Sequence, residues 1–382
     1  MKKILVFTST RADYGILRPL LKKLLEFQGF STGVLVSGTH LVLSFGNTIE
    51  EIGKDGIPIW DRVEILVNSD TSMGTLKSTA LALLGFGESL SRIKPDIAIV
   101  LGDRFEAFAF GTAATILGIP LAHLHGGEIT EGAIDETYRH CLTKMSQLHF
   151  TSTENYRQNV IQMGEDPTKV FNVGALGLDN IQNMTLLNKS QLEAELSLDF
   201  SLPLVMITFH PETATNRSAS DDIKYLLSET LLEPVNIILT YANADHGGME
   251  INKVIDSMAT LYPGRIMAFK SLGTLRYFSV ARYCSVVAGN SSSGIIEIPS
   301  LGVPTINIGD RQKGRISGPS VYHCSLDNYR NSLVRLLKDN PTYSENANIY
   351  GDGKTADRII EKLIEINTSE LCSKKFYHIR NS

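Results

Sequence analysis

Residues 286–299 read Val-Val-Ala-Gly-Asn-Ser-Ser-Ser-Gly-Ile-Ile-Glu-Ile-Pro. An apolar strand runs into a small, hydroxyl-rich turn, and that turn opens a helix. Gly289, Asn290, Ser291, Ser292, Ser293 and Gly294 place no bulky side chain there. Backbone N–H groups and three hydroxyls therefore converge where a helix dipole is positive, which suits a diphosphate. Glu297, one turn later, is placed to accept hydrogen bonds from ribose hydroxyls. The same residues also fit an ordinary Ser/Gly strand-to-helix loop, so the surrounding chain decides between the two.

Outward from this stretch the strand–helix pattern repeats. Strands are expected at Ile4–Phe7, Val34–Ser37, Ile97–Leu101, Leu121–His123, Leu148–Thr151 and Val170–Val173. A second series covers Leu204–Phe209, Val235–Thr240, Ile266–Phe269, Ser285–Ala288 and Thr305–Ile308. Helical patterns fall at Ile16–Phe27, Leu76–Ile93, Phe105–Leu117, Asn155–Met163 and Asn183–Asp199. Such alternation signals parallel, doubly wound sheets. A seam at Gly174–Gly177 gives an α/β protein of two Rossmann-like domains facing a central cleft, residues 1–175 and 176–353. The helix at Ala356–Ile366, within a final segment 354–382, is expected to cross back onto the first domain. In such sheets ligands bind outside the carboxyl ends of the strands.

Composition agrees. A chain of 382 residues exceeds one compact core, and 43% apolar with 20% charged residues is ordinary for a soluble globular protein. A net charge of −5 argues against nucleic acid or an anionic membrane as partner. Cys141, Cys284, Cys324 and Cys372 form no CxxC pair, which points to a reducing compartment and neither structural zinc nor a disulfide framework. The apolar run Ile4–Phe7 is too short for a signal peptide, and Gly111, Gly118 and Pro120 split Ala107–Leu124 into a helix and a strand. A cytoplasmic protein is expected.

Unusual polar residues collect just after the strands. Thr8 to Gly15 carries Arg11, suited to a phosphate or to pairing with Asp13. Asp103, between Gly102 and Arg104, is a helix N-cap or a catalytic acid. His123, His125, Glu128, Glu131, Asp135, Glu136, Arg139 and His140 crowd within eighteen residues. Two histidines two apart with nearby acids also fit a divalent cation, but acid–base chemistry is the favoured reading and no metal is expected. His123 and His125 alternate along a strand and so face one side. Asp135 and Arg139 share a helix face, whose bland reading is a salt-bridged surface. In the second domain, His210 before Pro211 is held extended toward the cleft. Tyr241–Gly248 has a similar polar load, and Arg311, Lys313 and Arg315 form a basic run suited to a leaving diphosphate.

Seven segments in order carry a specific resemblance. STRADYG at 9–15, LGDRFE at 101–106, HLHGGE at 123–128, IDETYRH at 134–140, FHPET at 209–213, GNSSSGIIE at 289–297 and INIGDRQKGR at 306–315 together resemble the hydrolysing UDP-N-acetylglucosamine 2-epimerases of sialic-acid pathways. The likeness spans nearly the whole chain. It implies the two-lobed GT-B fold and conversion of UDP-GlcNAc and water to N-acetylmannosamine and UDP, without a cofactor. By matching motif, Arg11, Ser291, Ser292, Glu297 and Arg311 would hold UDP, and Asp103 and Asp135 would be catalytic carboxylates. Arg104 would contact the ligand or orient Asp103. His210 would sit beside the phosphates, and Asn243 and Asp245 would line the sugar pocket. Many relatives carry a glutamate where this chain has His125, so either His125 or Glu128 supplies that group. The loop to Asp135 is also one residue longer than in glutamate-bearing relatives. A close variant of the reaction uses a UDP-2,4-diacetamido-2,4,6-trideoxy-hexose. A GT-B glycosyltransferase and a non-catalytic nucleotide-sugar binder are the other readings, and the acids around Gly126-Gly127 count against the binder. Exposed apolar helix positions Leu76, Leu81 and Leu84 suggest a homodimer or homotetramer.

Overall fold

Lys2–Thr8 (β1) begins with two lysines and then five buried residues, the profile of a strand covered on both faces. Thr10 and Asp13 close a capping box that starts helix α1 at Arg11, five residues before the apolar periodicity begins. The structure, a computed structural model, describes residues 1–43, 48–67, 69, 71–131, 133–212, 218–242, 247–371 and 374–379. The expectations for Asn243, Asp245 and Cys372 lie outside them.

Among the described residues the first sheet holds β1, β2 (Phe30–Ser37), β3 (Ile59–Val63), β4 (Ile97–Leu101), β5 (Leu121–Leu124), β6 (Leu148–Thr151) and β7 (Val170–Asn172), in the order β3-β2-β1-β4-β5-β6-β7. Every pairing is parallel. Its helices are α1 (Arg11–Glu26), α2 (Ile49–Lys54), α3 (Ser72–Ile93), α4 (Phe105–Ile116), α5 (Ile134–Met145), α6 (Glu154–Gln162) and α7 (Gly177–Asn183). One core layer packs Leu17, Leu20, Leu21 and Leu24 of α1 under the sheet, with Ile359 and Leu363 of the chain's last long helix beside them. The opposite layer sets Phe7, Phe86 and Phe110 together.

The second sheet holds β8 (Leu204–Thr208), β9 (Asn236–Thr240), β10 (Ile266–Phe269), β11 (Val286–Gly289), β12 (Thr305–Ile308) and β13 (Val321–Cys324), ordered β10-β9-β8-β11-β12-β13 and again all parallel. Around it lie α8 (Lys189–Leu196), α9 (Ala219–Leu231), α10 (Gly248–Leu261), α11 (Gly273–Ala281), α12 (Ser293–Ile296) and α13 (Tyr329–Asp339). The last helix, α14 (Thr355–Glu365), returns to the first unit. The units are Met1–Glu128, Ile134–Asn180 and Tyr350–Ser382 on one side, and Ile129–Ala133 with Ile181–Ile349 on the other.

Two strands, β3 and β13, are absent from the sequence expectation. Both are edge strands whose residues are mostly half-buried, so no apolar run marks them. Of the helix expected over Asn183–Asp199 only Lys189–Leu196 (α8) is helical beyond the end of α7 at Asn183, and it is opened by an Asn188–Gln191 capping box. No described helix is long and apolar enough to cross a membrane.

Candidate active site

In each sheet the strand order reverses beside the central strand, between β1 and β4 in the first and between β8 and β11 in the second. Doubly wound sheets bind ligands at such switch points. The loops that leave these four strands hold Arg11, Asp103, Arg104, His210, Ser291 and Ser292, and the loops after β5 and β12 hold His125, Glu128 and Arg311.

In the first unit the β1 loop is organised by Asp13. Its carboxylate accepts from the Ser9 and Thr10 N–H groups at 2.9 and 3.1 Å and from the hydroxyls of Thr8 and Ser9. Burial alone would raise its pKa, but hydrogen bonds from His40, Thr8 and Ser9 outweigh that and hold the carboxyl below its ordinary value. Arg11 therefore does not pair with Asp13. It is exposed at the first turn of α1, 3.6 Å from Glu51. Arg104 sits at the N-cap position of α4 without a capping side chain, so Asp103 is not the cap. The Arg104 guanidinium contacts Glu106 at 3.3 Å, and Glu106, Asp13 and Asp135 all reinforce its charge.

Asp103 instead receives a hydrogen bond from Arg139 Nη2. Arg139 is 2% exposed, and its Nη1 donates to the Glu128 carbonyl at 2.8 Å. One guanidinium thus ties the β4 loop to the β5 loop. The reading of Asp135 and Arg139 as a shared helix surface fails: Asp135 is exposed and Arg139 is buried. Periodicity gave no sign of this, because the side chain reaches inward from a half-buried turn.

His123 and His125 do not face one side either. β5 ends at Leu124, and His125 takes φ +64°, a left-handed conformation that swings it off the strand. His123 is fully buried. Its Nε2 donates to the Gly102 carbonyl at 2.8 Å, which leaves Nδ1 to accept from the Thr143 hydroxyl at 3.2 Å. Burial holds its pKa down to about 3, so it is a neutral strut beneath Asp103. His125 Nδ1 donates to Glu128 Oε1 at 2.8 Å, and Ser152 Oγ donates to the same oxygen at 2.9 Å. The Leu176 N–H lies 3.4 Å from His125 Nε2. The imidazole thus keeps its proton on Nδ1 and its lone pair on Nε2, with a buried carboxylate behind it. His125 and Glu128, read from the sequence as alternatives, form one dyad.

In the second unit Gly289 brings β11 against β8. Its φ is +133°, and a β-carbon there would lie 1.9 Å from the Thr208 carbonyl oxygen. Asn290, fully buried, then bridges the two loops. Its Oδ1 accepts from the His210 N–H at 2.7 Å and its Nδ2 donates to the His210 carbonyl at 2.8 Å. Its own carbonyl accepts from Arg311 Nη1 and Gln312 Nε2, each at 3.1 Å. Arg311 is thereby anchored beside the serine turn. Among the described residues no acceptor takes the N–H groups of Ser291 and Ser292. The helix after them, α12, is only one turn, followed by a 3₁₀ turn over Ile298–Leu301. The free donors, rather than a long helix dipole, make this turn receptive to an anion. Glu297 lies at that junction, where its charge helps push the Tyr277 hydroxyl, raised chiefly by burial, up to about 12.

His210 is buried, and burial together with Arg311 lowers its pKa to about 3. The basic run is also less free than expected. Lys313 pairs with Glu131 at 3.7 Å, and its carbonyl accepts from the Glu131 N–H at 3.1 Å. Among the described residues no group of three His, Cys, Asp or Glu is assembled to hold a metal ion. Ser152 and Tyr277 are not singled out from the sequence, Asn290 appears there only as the one amide in the serine turn, and Arg139 only as a partner of Asp135 on a helix face.

The family model for UDP-N-acetylglucosamine 2-epimerases matches residues 22–364. The chain belongs to this family. A "Polysialic acid biosynthesis protein P7" of Escherichia coli is 39% identical, with 99% of this chain and 98% of that one covered. A hydrolysing GDP/UDP-N,N'-diacetylbacillosamine 2-epimerase of Campylobacter jejuni is 36% identical over 88% of this chain and 87% of its own. A hydrolysing UDP-N,N'-diacetylbacillosamine 2-epimerase of Legionella pneumophila is 33% identical over 95% and 96%. Among solved structures, the Neisseria meningitidis UDP-GlcNAc 2-epimerase bound to UDP-GlcNAc superposes with a TM-score of 0.80 at 19% identity, covering 96% of this chain and all of that one. The fold is therefore the GT-B-like one of these epimerases.

Proposed function

We propose that this chain is a hydrolysing 2-epimerase whose substrate is a UDP-linked 2,4-diacetamido-2,4,6-trideoxy-hexose. The two hydrolysing relatives at 36% and 33% identity, both named for diacetylbacillosamine, carry this reading of the sugar. UDP-GlcNAc in a sialic-acid route is the second reading, favoured by the polysialic-acid relative at 39% identity.

The chemistry accounts for the residue types. H-2 of the sugar is not acidic, so its removal is coupled to loss of the nucleotide. The C2–H bond breaks toward a base, a C1–C2 double bond forms, and the C1–O bond breaks with its electron pair going to UDP. Water then adds its oxygen to C1, and C2 is reprotonated from the opposite face, giving the free 2-epimer. In this reading Ser291, Ser292, Arg311 and Arg11 hold the diphosphate, Glu297 the ribose, and Asn243 and Asp245 the sugar. Neutral His210 donates to a phosphate oxygen. Asp103, Asp135 and the His125–Glu128 dyad carry the proton transfers, with Arg139 orienting Asp103 and Arg104 contacting the ligand. Such a dyad suits acid–base work, because the carboxylate fixes the tautomer and stabilises the imidazolium as it forms. General acid–base catalysis of this kind contributes about 10²–10⁴-fold.

The single observation behind the mechanism is the His125–Glu128 hydrogen bond at 2.8 Å where many relatives have one glutamate. The test incubates purified protein with UDP-GlcNAc and with the UDP- and GDP-linked diacetamido sugars, in deuterated water. Nucleotide release with deuterium at C2 is expected, fastest from the UDP-linked diacetamido sugar. Faster release from UDP-GlcNAc would select the second reading. Release without deuterium at C2, requiring an acceptor, would mark a glycosyltransferase, and no release from any substrate would refute the epimerase.

A further inference from the structure

Beyond the loops at the strand ends lies a cluster that the mechanism does not use. Glu165, 2% exposed, is bound by Lys144 Nζ at 2.5 Å, Lys374 Nζ at 2.6 Å and His149 Nε2 at 3.1 Å. Lys374 comes from the C-terminal tail. Besides Glu165, its ammonium donates to the carbonyls of Thr143, Lys144 and Ser146 at 3.1, 2.7 and 2.6 Å. Thr143 and Lys144 lie in the last turn of α5 and Ser146 just past it, where helix carbonyls are short of intrahelical donors and carry the negative end of the dipole; the Thr143 carbonyl also accepts from the Ser146 N–H at 3.3 Å. The tail is seated again just beyond this contact. Tyr377 N–H donates to the Gly164 carbonyl at 2.8 Å, and Phe376 packs on Gly164, where a β-carbon would come within 2.4 Å of its ring. Lys144 also lies over the Phe376 ring, 5.2 Å from its centre.

The opposite end of α5 carries Asp135, and its middle carries Arg139, which joins Asp103 to the Glu128 loop. We infer that Lys374 is a positioning residue for the reaction. The tail clamps the far end of α5, so that Asp135 and Arg139 are held in register with Asp103 and the His125–Glu128 dyad. A tether some 230 residues away in sequence restrains the helix end that its own turn leaves open. The inference rests on the proposed role of α5 in proton transfer, whereas the proposed nucleotide contacts other than Arg11 lie in the other unit. Misplacement of a catalytic group by about 1 Å can cost roughly 10²-fold in rate.

The experiment compares Lys374→Met, Lys374→Arg, Phe376→Ala and the exposed neighbour Lys375→Met in the full chain. Steady-state kinetics use whichever nucleotide sugar the wild type turns over, with UDP affinity and amide exchange along α5 measured in parallel. Lys374→Met should lower kcat about tenfold or more with KM and UDP affinity nearly unchanged, and should speed exchange in the last turn of α5. Lys374→Arg should recover most of the loss, and Lys375→Met should resemble wild type. Phe376 is 62% exposed, so its replacement leaves folding intact and should give a smaller fall in kcat of the same pattern. Wild-type kcat in Lys374→Met, or equal losses in kcat and UDP affinity, or the same loss in Lys375→Met, overturns the clamp. Should the wild type act on no sugar offered, the epimerase reading fails, while exchange in α5 still shows whether Lys374 holds the helix.

Discussion

Replacing Arg139 with Met keeps the length of the side chain and deletes two charge-assisted hydrogen bonds at once. Hydrogen bonds to charged groups are worth about 1.5–3 kcal/mol each, and breaking a buried ion pair costs about 3–5 kcal/mol. The structure moderates that range. The Asp103 side chain is 26% exposed, so water recovers part of its solvation. The carbonyl of Glu128, a residue 3% exposed, is left without its Nη1 donor. A loss of about 3 kcal/mol follows, borne by the first unit. The only tryptophan, Trp60, lies in β3 of that unit beneath Lys3, and its fluorescence reports on that unit. With a urea dependence of about 3 kcal/mol per M, the midpoint should fall by roughly 1 M. The double variant with Asp103→Asn should be less destabilised than the sum of the singles by at least about 1 kcal/mol, because both act on one contact. A midpoint within about 0.2 M of wild type, or strict additivity, would refute the bridging role.

Further outcomes follow from the same geometry. His123 and His210 are held near pKa 3 in the folded chain, against about 6.5 when unfolded. The unfolded chain therefore binds more protons between pH 6.5 and 3, so the stability these groups contribute is full above pH 6.5 and is lost as the pH falls through that window. Together they should give a slope of up to about 2.7 kcal/mol per pH unit, and urea titrations from pH 7 to 4.5 in which His123→Gln leaves the slope unchanged would exclude His123 as a source. Gly289→Ala forces a β-carbon into the Thr208 carbonyl at 1.9 Å and should cost at least about 3 kcal/mol in the second unit, with UDP binding lost. A UDP titration by calorimetry showing unchanged affinity would contradict this. Glu128→Gln keeps a hydrogen bond to His125 but removes the charge that stabilises an imidazolium, so kcat should fall about 10²-fold with KM little changed. Equal falls in kcat and in UDP affinity would place Glu128 in the scaffold only. Leu76 and Leu84 on α3 are 62% and 70% exposed, and light scattering should find an oligomer of the 42.0 kDa chain that Leu84→Glu dissociates. A wild-type mass near one chain would dismiss the α3 interface.

Much of this architecture was legible in the chain itself. Parallel strands buried on both faces must be continuous apolar runs, so β1, β4, β8 and β11 announce themselves, and the polar residues after them mark the ends where ligands gather. The glycine of the serine turn is local chemistry, readable at short range, whereas the capping boxes at Thr10–Asp13 and Asn188–Gln191 went unread and left two helix starts misplaced. Tertiary structure alone decided the rest. Edge strands β3 and β13 are half-covered and so lack an apolar signature. Arg139 reads as surface because helical periodicity records which face a residue occupies, not how far a long side chain reaches inward. The bond between His125 and Glu128 depends on a left-handed backbone at His125, and the hold of Lys374 on α5 closes a loop of more than two hundred residues. Such contacts form only once distant segments are packed together, because their energy comes from burial and hydrogen-bond geometry that no local pattern encodes.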